Sequence, residues 1–222
     1  MTRTPLVLGA VLTVAACVGA ALGLGAASPV SLHTTAPAAA AATRPPPVPH
    51  GGRIDFAGPS RPVAVLPDGR HRAIASLLNI KGPLHYGEFV WNDTGVPRGR
   101  PWVRIDLDAQ LLSVFRGDHE IGSTVVLYGA DEKPTPTGSF PVLAKLRDHV
   151  SSLYDAPMPY TMRLTGDGVA IHGSNVRRNA ATHGCIGVPT AFAARLFDEV
   201  KLGDEVMIVR GGRRSGQATI TS

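Results

Sequence analysis

The stretch WVRIDLDAQLLSVFRGDHEIGSTVVLY, residues 102–128, decides the fold. Trp102 to Leu107 alternates apolar and polar side chains, the period-two pattern of a half-buried strand. Asp108-Ala109-Gln110 reads as a turn, and the alternation resumes from Leu111 to Arg116. Gly117-Asp118 makes a second turn. Glu120 to Tyr128 is then a third strand, rich in β-branched residues. Three consecutive strands with tight turns predict an antiparallel meander.

The same reading extends outward. Ser139 to Ala144 and Tyr160 to Leu164 are predicted strands, and Gly168 to Ile171 is a short apolar strand that delivers His172 at its end. Pro189 opens a helix in which Phe192, Leu196, Phe197 and Val200 recur at near-helical spacing, and Gly203 ends it. Glu205 to Val209 is a last strand. Upstream, Arg72 to Leu78 reads as a short helix. The expected class is mainly β, a sandwich or barrel-like sheet with one or two short helices. The fold is expected to occupy residues 101–210, preceded by an N-terminal extension at 60–100 and followed by a flexible tail at 211–222.

The N-terminus has another character. Arg3 is followed by a run without charge from Pro5 to Leu32. A basic tip, an apolar core and small residues make a secretion-type start over residues 1–32. Three readings fit it: an uncleaved membrane anchor of about 20 or more apolar residues; a signal peptide cut near Gly25-Ala26-Ala27; or a lipoprotein signal at Val14-Ala15-Ala16-Cys17. Residues 33–59, rich in Ala and Pro, read as an extended spacer. The chain is therefore expected in the cell envelope or periplasm, joined to the membrane through its N-terminal segment. The net charge of +5 is scattered, without aromatic-basic interleaving, so nucleic acid is not an expected partner. No internal repeat is present.

The chemistry concentrates in IHGSNVRRNAATHGCIG, residues 171–187. Besides Cys17 in the apolar start, Cys185 is the chain's other cysteine. A free thiol ionises near pKa ~8.5, and a neighbouring imidazole can take its proton. His172 with Gly173 at a strand end, then a polar loop, then Cys185 between Gly184 and Gly187, suits acyl transfer through a thioester. Glycines let the backbone turn and aim N–H groups at a developing oxyanion. Other readings compete. A lone cysteine is often a small buried hydrophobe, though a polar glycine-flanked loop hides it poorly. His183 and Cys185 could bind zinc with His172 or His149, but a structural site wants four ligands, usually in pairs. His183 could be structural. His149, His119, His85 and His71 are expected in solvated loops or turns. Arg177-Arg178, between the two site histidines, is a solvated loop or a carboxylate clamp.

These residues carry a resemblance. Ile171-His172-Gly173 through Thr182-His183-Gly184-Cys185 resembles the signature of the L,D-transpeptidase catalytic domain, the YkuD family. Three other segments are similar to that family in the same order: Val103 to Gln110, Pro134-Thr135-Pro136-Thr137-Gly138-Ser139-Phe140, and Met158 to Met162. The resemblance covers roughly residues 100 to 210 and implies a β-rich domain acting on peptidoglycan stem peptides. It implies Cys185 as nucleophile, His172 as its base, and a backbone carbonyl of Gly173 or Ser174 orienting the other ring nitrogen. His183, Gly184 and the Cys185 amide would line the oxyanion site. Tyr160, Met162, Ser174 and Arg177 would contact substrate. No metal or organic cofactor is implied, and carbapenem-type β-lactams are expected inhibitors.

The sequence departs from the family at Gly187, where many members carry arginine or asparagine, and in its short loop from His172 to Cys185. The expected activity is 3→3 cross-linking of stem tetrapeptides or a related attachment. A hydrolase on the same acyl-enzyme and a wall-binding module with an idle thiol are the alternatives.

Overall fold

The computed structural model describes residues 52–130, 133–151 and 155–211. The apolar start, most of the spacer and the tail lie outside the described residues.

The meander forms as the alternation requires. Strands β6 (Pro101–Asp106), β7 (Leu111–Arg116) and β8 (His119–Val125) pair antiparallel in succession. Gln110 at φ 54° and Gly117 at φ 59° close the two turns in the left-handed region. Val103, Ile105, Leu112, Val114 and Ile121 are wholly buried on one face. Each such side chain stabilises the fold by roughly 1.5–3 kcal/mol. The other face is covered as well. Trp102 and Phe115 pack there with Leu66, Ile74 and Met207 in a second cluster. The strands are therefore buried on both sides, not half-buried.

The covering elements come from residues 53–91: β1 (Arg53–Asp55), β2 (Val63–Val65), β3 (His71–Ala73), β4 (Ser76–Leu78) and β5 (Phe89–Trp91). The helix expected over Arg72 to Leu78 is instead β3 and β4. Long-range pairing overrides local propensity here: Ala73 pairs with Val63, Leu78 with Arg53, and the Ala75 N–H donates to the Asp118 carbonyl at 2.8 Å. β1 itself lies inside the stretch read as spacer. β4 and β5 both join β8, so residues 60–100 contribute strands to the main sheet.

That eight-stranded sheet runs β1-β4-β8-β7-β6-β14-β9, with β5 also on β8. β14 (Glu205–Val209) lies parallel to β6 and antiparallel to β9 (Gly138–Pro141). A second sheet orders β10 (Ala144–Val150), β11 (Pro157–Arg163), β12 (Ala170–Ser174) and β13 (Ile186–Pro189). Its last pair, β12 and β13, is parallel. Helix α1 (Thr190–Glu199) follows Pro189 directly and buries Phe192, Ala193, Leu196 and Phe197. One hydrophobic core joins both sheets to this helix. The architecture is mainly β with a single α-helix among the described residues.

Candidate active site

The parallel pairing of β12 and β13 brings the signature together. His172 lies opposite Gly187 and Ile171 opposite Ile186, so Cys185 enters β13 level with Ala170. His172 sits in the middle of β12 rather than at a strand end, because Gly173 and Ser174 continue the ladder. It is 9% exposed, and Cys185 is half-buried. Both border one cavity of about 460 Å³.

The imidazole is fixed by the backbone. Its Nδ1 lies 2.9 Å from the Gly173 carbonyl, which only accepts, so Nδ1 carries the proton and Nε2 the lone pair. Of the two carbonyls expected to orient the ring, Gly173 supplies it. Gly173 is closely flanked: a Cβ would stand 3.1 Å from Pro159 and 3.2 Å from Thr190, so those neighbours would have to give way.

Two hydroxyls hold the turn at Gly184 and Cys185. The Thr182 hydroxyl donates to the Cys185 carbonyl at 2.5 Å. The buried Thr135 hydroxyl donates to the Gly184 carbonyl at 3.0 Å and accepts the Gly129 N–H at 2.9 Å. Gly184 itself adopts φ 99°, where a side chain is strained. Thr135 thus gives the Pro134–Phe140 segment a function that sequence reading missed. Its position in a proline-rich turn gave no signal that its hydroxyl bridges Gly129 and Gly184.

Burial disfavours the charged form of both groups. Burial pushes the His172 imidazole below its ordinary value; the Gly173 carbonyl opposes this, and His149 adds to it. Burial pushes the Cys185 thiol up, while the Ala170 backbone and Lys133 pull down and Asp167 pushes up. The S–H points at the Gly168 carbonyl, 3.7 Å away. A pH prediction follows. Acylation of Cys185 needs one proton on the pair, so its rate falls at low pH when His172 becomes imidazolium and changes again when the thiol ionises. The acid limb is expected below 6.5, the ordinary imidazole value, and the basic limb above the ordinary thiol value. The profile of kcat/KM for acylation checks this; an acid limb at or above 6.5 contradicts it. Stability follows the same sign. His172's contribution is complete above the unfolded value and is lost as pH falls through the lowered folded one.

The remaining expected residues divide. His183 and Ser174 border the cavity. Arg177 and Arg178 are exposed on the loop and do not line it. Met162 is wholly buried in the core. Tyr160, at φ 56°, packs its ring edge-on against Phe197 at 5.8 Å and beneath Arg147. The cavity wall on β11 is formed instead by Pro157 and Met158. His149 belongs to β10 and borders the cavity, contrary to its expected solvated loop. His119 opens β8 with its Nδ1 2.8 Å from the Ser76 hydroxyl, so it too is structural rather than solvated. Among the described residues no three His, Cys, Asp or Glu side chains group as a metal site.

Gly187 has a local reason. A Cβ there would meet the Ser174 Cβ at 3.1 Å and the Leu127 Cβ at 3.4 Å. Its N–H and carbonyl both bond Leu127 at 2.9 Å. In this chain the Ser174 side chain occupies the space that a side chain at position 187 would enter, and backbone pairing holds the strand.

Residues 100–208 match the family model of the L,D-transpeptidase catalytic domain, YkuD. A curated relative, L,D-transpeptidase 1 of Mycobacterium tuberculosis, is 28% identical over 120 residues, covering 46% of this chain and 48% of the relative. The chain thus spans about half the length of the curated relatives it matches. An L,D-transpeptidase structure from Mycobacterium smegmatis is similar at 24% identity and TM-score 0.47, over 50% of this chain and 58% of that one. A solved complex of an L,D-transpeptidase with imipenem is similar at 27% identity and TM-score 0.46, over 49% and 58%. The matched segment contains Cys185, His172, His183 and Thr135, so residues 100–208 of this chain are similar to the L,D-transpeptidase catalytic domains of the YkuD family.

Proposed function

We propose that this chain is an exported, cysteine-dependent L,D-transpeptidase acting on peptidoglycan stem tetrapeptides. The observation that carries the reading is the shared cavity, bordered by both Cys185 and His172, whose Nδ1 is committed to the Gly173 carbonyl so that Nε2 carries the lone pair. The thiol turns from the Gly168 carbonyl and gives its proton to His172 Nε2. Sγ attacks the carbonyl at the L-centre of diaminopimelate. The oxyanion is received by the turn at His183, Gly184 and the Cys185 amide. Collapse breaks the amide bond, and the departing D-alanine amine takes the proton from His172. A thioester remains. The side-chain amine of a second stem then attacks it, its proton passes to His172, and the thiol is restored with a 3→3 cross-link formed. A carbapenem presents a strained ring amide to the same thiol and is expected to acylate it. The apolar start would hold the domain at the outer face of the membrane, within the envelope.

The test incubates the purified protein with a disaccharide-tetrapeptide and follows products by mass spectrometry, with Cys185→Ala as control. A dimer lacking one D-alanine, absent from the control, supports transpeptidation. Tripeptide without dimer makes the chain a hydrolase. No turnover, with the thiol intact, leaves a wall-binding module.

A further inference from the structure

The cavity carries a charge that the reaction above does not use. Lys133 lies in the loop between β8 and β9, and its N–H donates to the Ala130 carbonyl at 3.0 Å. Its own carbonyl presses on Gly129, where a Cβ would come within 2.1 Å of it. Its stem crosses Gly184: a Cβ placed there would stand 3.7 Å from Lys133 Cγ and 3.9 Å from Cε. The side chain therefore runs along the residue before the nucleophile and ends at the cavity wall with Cys185. Its field reaches both Cys185 and Asp167, drawing each acid down.

Lys133 differs from the molecule's other clustered cations. A second cleft, of about 310 Å³, is bordered by Arg70, Arg72 and Arg100. There Arg70 and Arg72 both bond Glu205 at 2.6 Å, and Arg100 bonds Asp204 at 3.0 Å, so those charges are neutralised internally. The Lys133 ammonium has no ion-pair or hydrogen-bond partner among the described residues. Asp167, the other charge on the wall, accepts from the Thr165 hydroxyl. An ammonium with no partner among the described residues, on a stem lying over Gly184 beside Cys185, is complementary to a substrate carboxylate.

We propose that Lys133 is a specificity residue: its ammonium binds a free carboxylate of the donor stem peptide and so selects free-acid donors over amidated ones. This rests on the stem-peptide reading above. Two carboxylates flank the reacting centre of a diaminopimelate tetrapeptide, that of the departing D-alanine and that of the diaminopimelate side-chain end. Lys133 makes and breaks no covalent bond in this role.

The test measures kcat/KM of the full-length protein with three donors: the free acid, its D-alanine amide and its diaminopimelate side-chain amide. The native protein is expected to favour the free acid over one amide by about tenfold or more. The amide that loses rate identifies the carboxylate. Lys133→Met keeps the stem over Gly184 and brings that ratio to about one; Lys133→Arg keeps the preference. Lys133 also eases thiol ionisation, so absolute rates change in the Met variant, but the acid-to-amide ratio cancels that effect. An unchanged ratio in Lys133→Met, or equal rates for all three donors in the native protein, overturns the assignment. No turnover of any donor, with Cys185 still alkylated by iodoacetamide, overturns the transpeptidase reading and this inference with it.

Discussion

Donor turnover by Cys185→Ala falls at least about 10⁴-fold while the fold persists. A methyl group cannot form the thioester, so what remains is the small acceleration from binding and oxyanion contacts alone. The fold persists because the side chain contributes little to it. Cys185 is half-buried and its Sγ contact to the Gly168 carbonyl is long, 3.7 Å. The β12–β13 ladder and the Thr182 and Thr135 hydrogen bonds are made to backbone atoms that alanine retains. The melting transition is expected to shift by less than about 1 kcal/mol. Mass spectrometry of the acyl-enzyme and a thermal melt check the two halves. Turnover within tenfold of the native rate would move the chemistry away from Cys185.

Trp102→Ala destabilises the domain by about 3–5 kcal/mol. The indole is 1% exposed and stacks on its cross-strand partner Phe115, centroids 4.1 Å apart and planes at 6°. Its Nε1–H donates to the Gly117 carbonyl at 2.7 Å, and the Arg72 guanidinium lies over the ring at 4.9 Å. One side chain therefore ties β6 to β7 and to β3. Alanine leaves a cavity, an unpartnered carbonyl and a guanidinium without its ring. Urea unfolding measures the loss. A change below about 1 kcal/mol would mean that the N-terminal strands add nothing to the stability of the sheet.

The parts of this molecule that could be read in sequence are those whose cause is local. The meander at 102–125 follows from alternation, and α1 from its apolar spacing behind Pro189. Cys185 and His172 stand out because few residue types do their chemistry. What was not legible depends on distant partners. β3 and β4 are strands because β1, β2 and β8 pair with them, although Arg72 to Leu78 alone reads as helix. β10 has no fully buried residue in AKLRDHV, so periodicity has nothing to report, and His149 was misplaced with it. The left-handed backbone at Tyr160 turns its ring onto Phe197, which no alternation rule anticipates. Lys133 and Thr135 sit in a loop that reads only as a turn; their importance comes from Gly184, about fifty residues later.

The position of β14 governs how the chain folds. β14 lies between β6 and β9, and among the described residues β9 has no other neighbour in the sheet. A chain emerging from the ribosome therefore makes β6 long before the partner for its free edge exists. The β6 and β9 edges stay unjoined until Val209 has been synthesised, and a chain stopped short of Glu205 cannot join them. Pairing across about a hundred residues is slow, milliseconds to seconds rather than microseconds. The nascent chain can pair β6, β7 and β8 early, but β9 waits for the last strand before it joins the sheet.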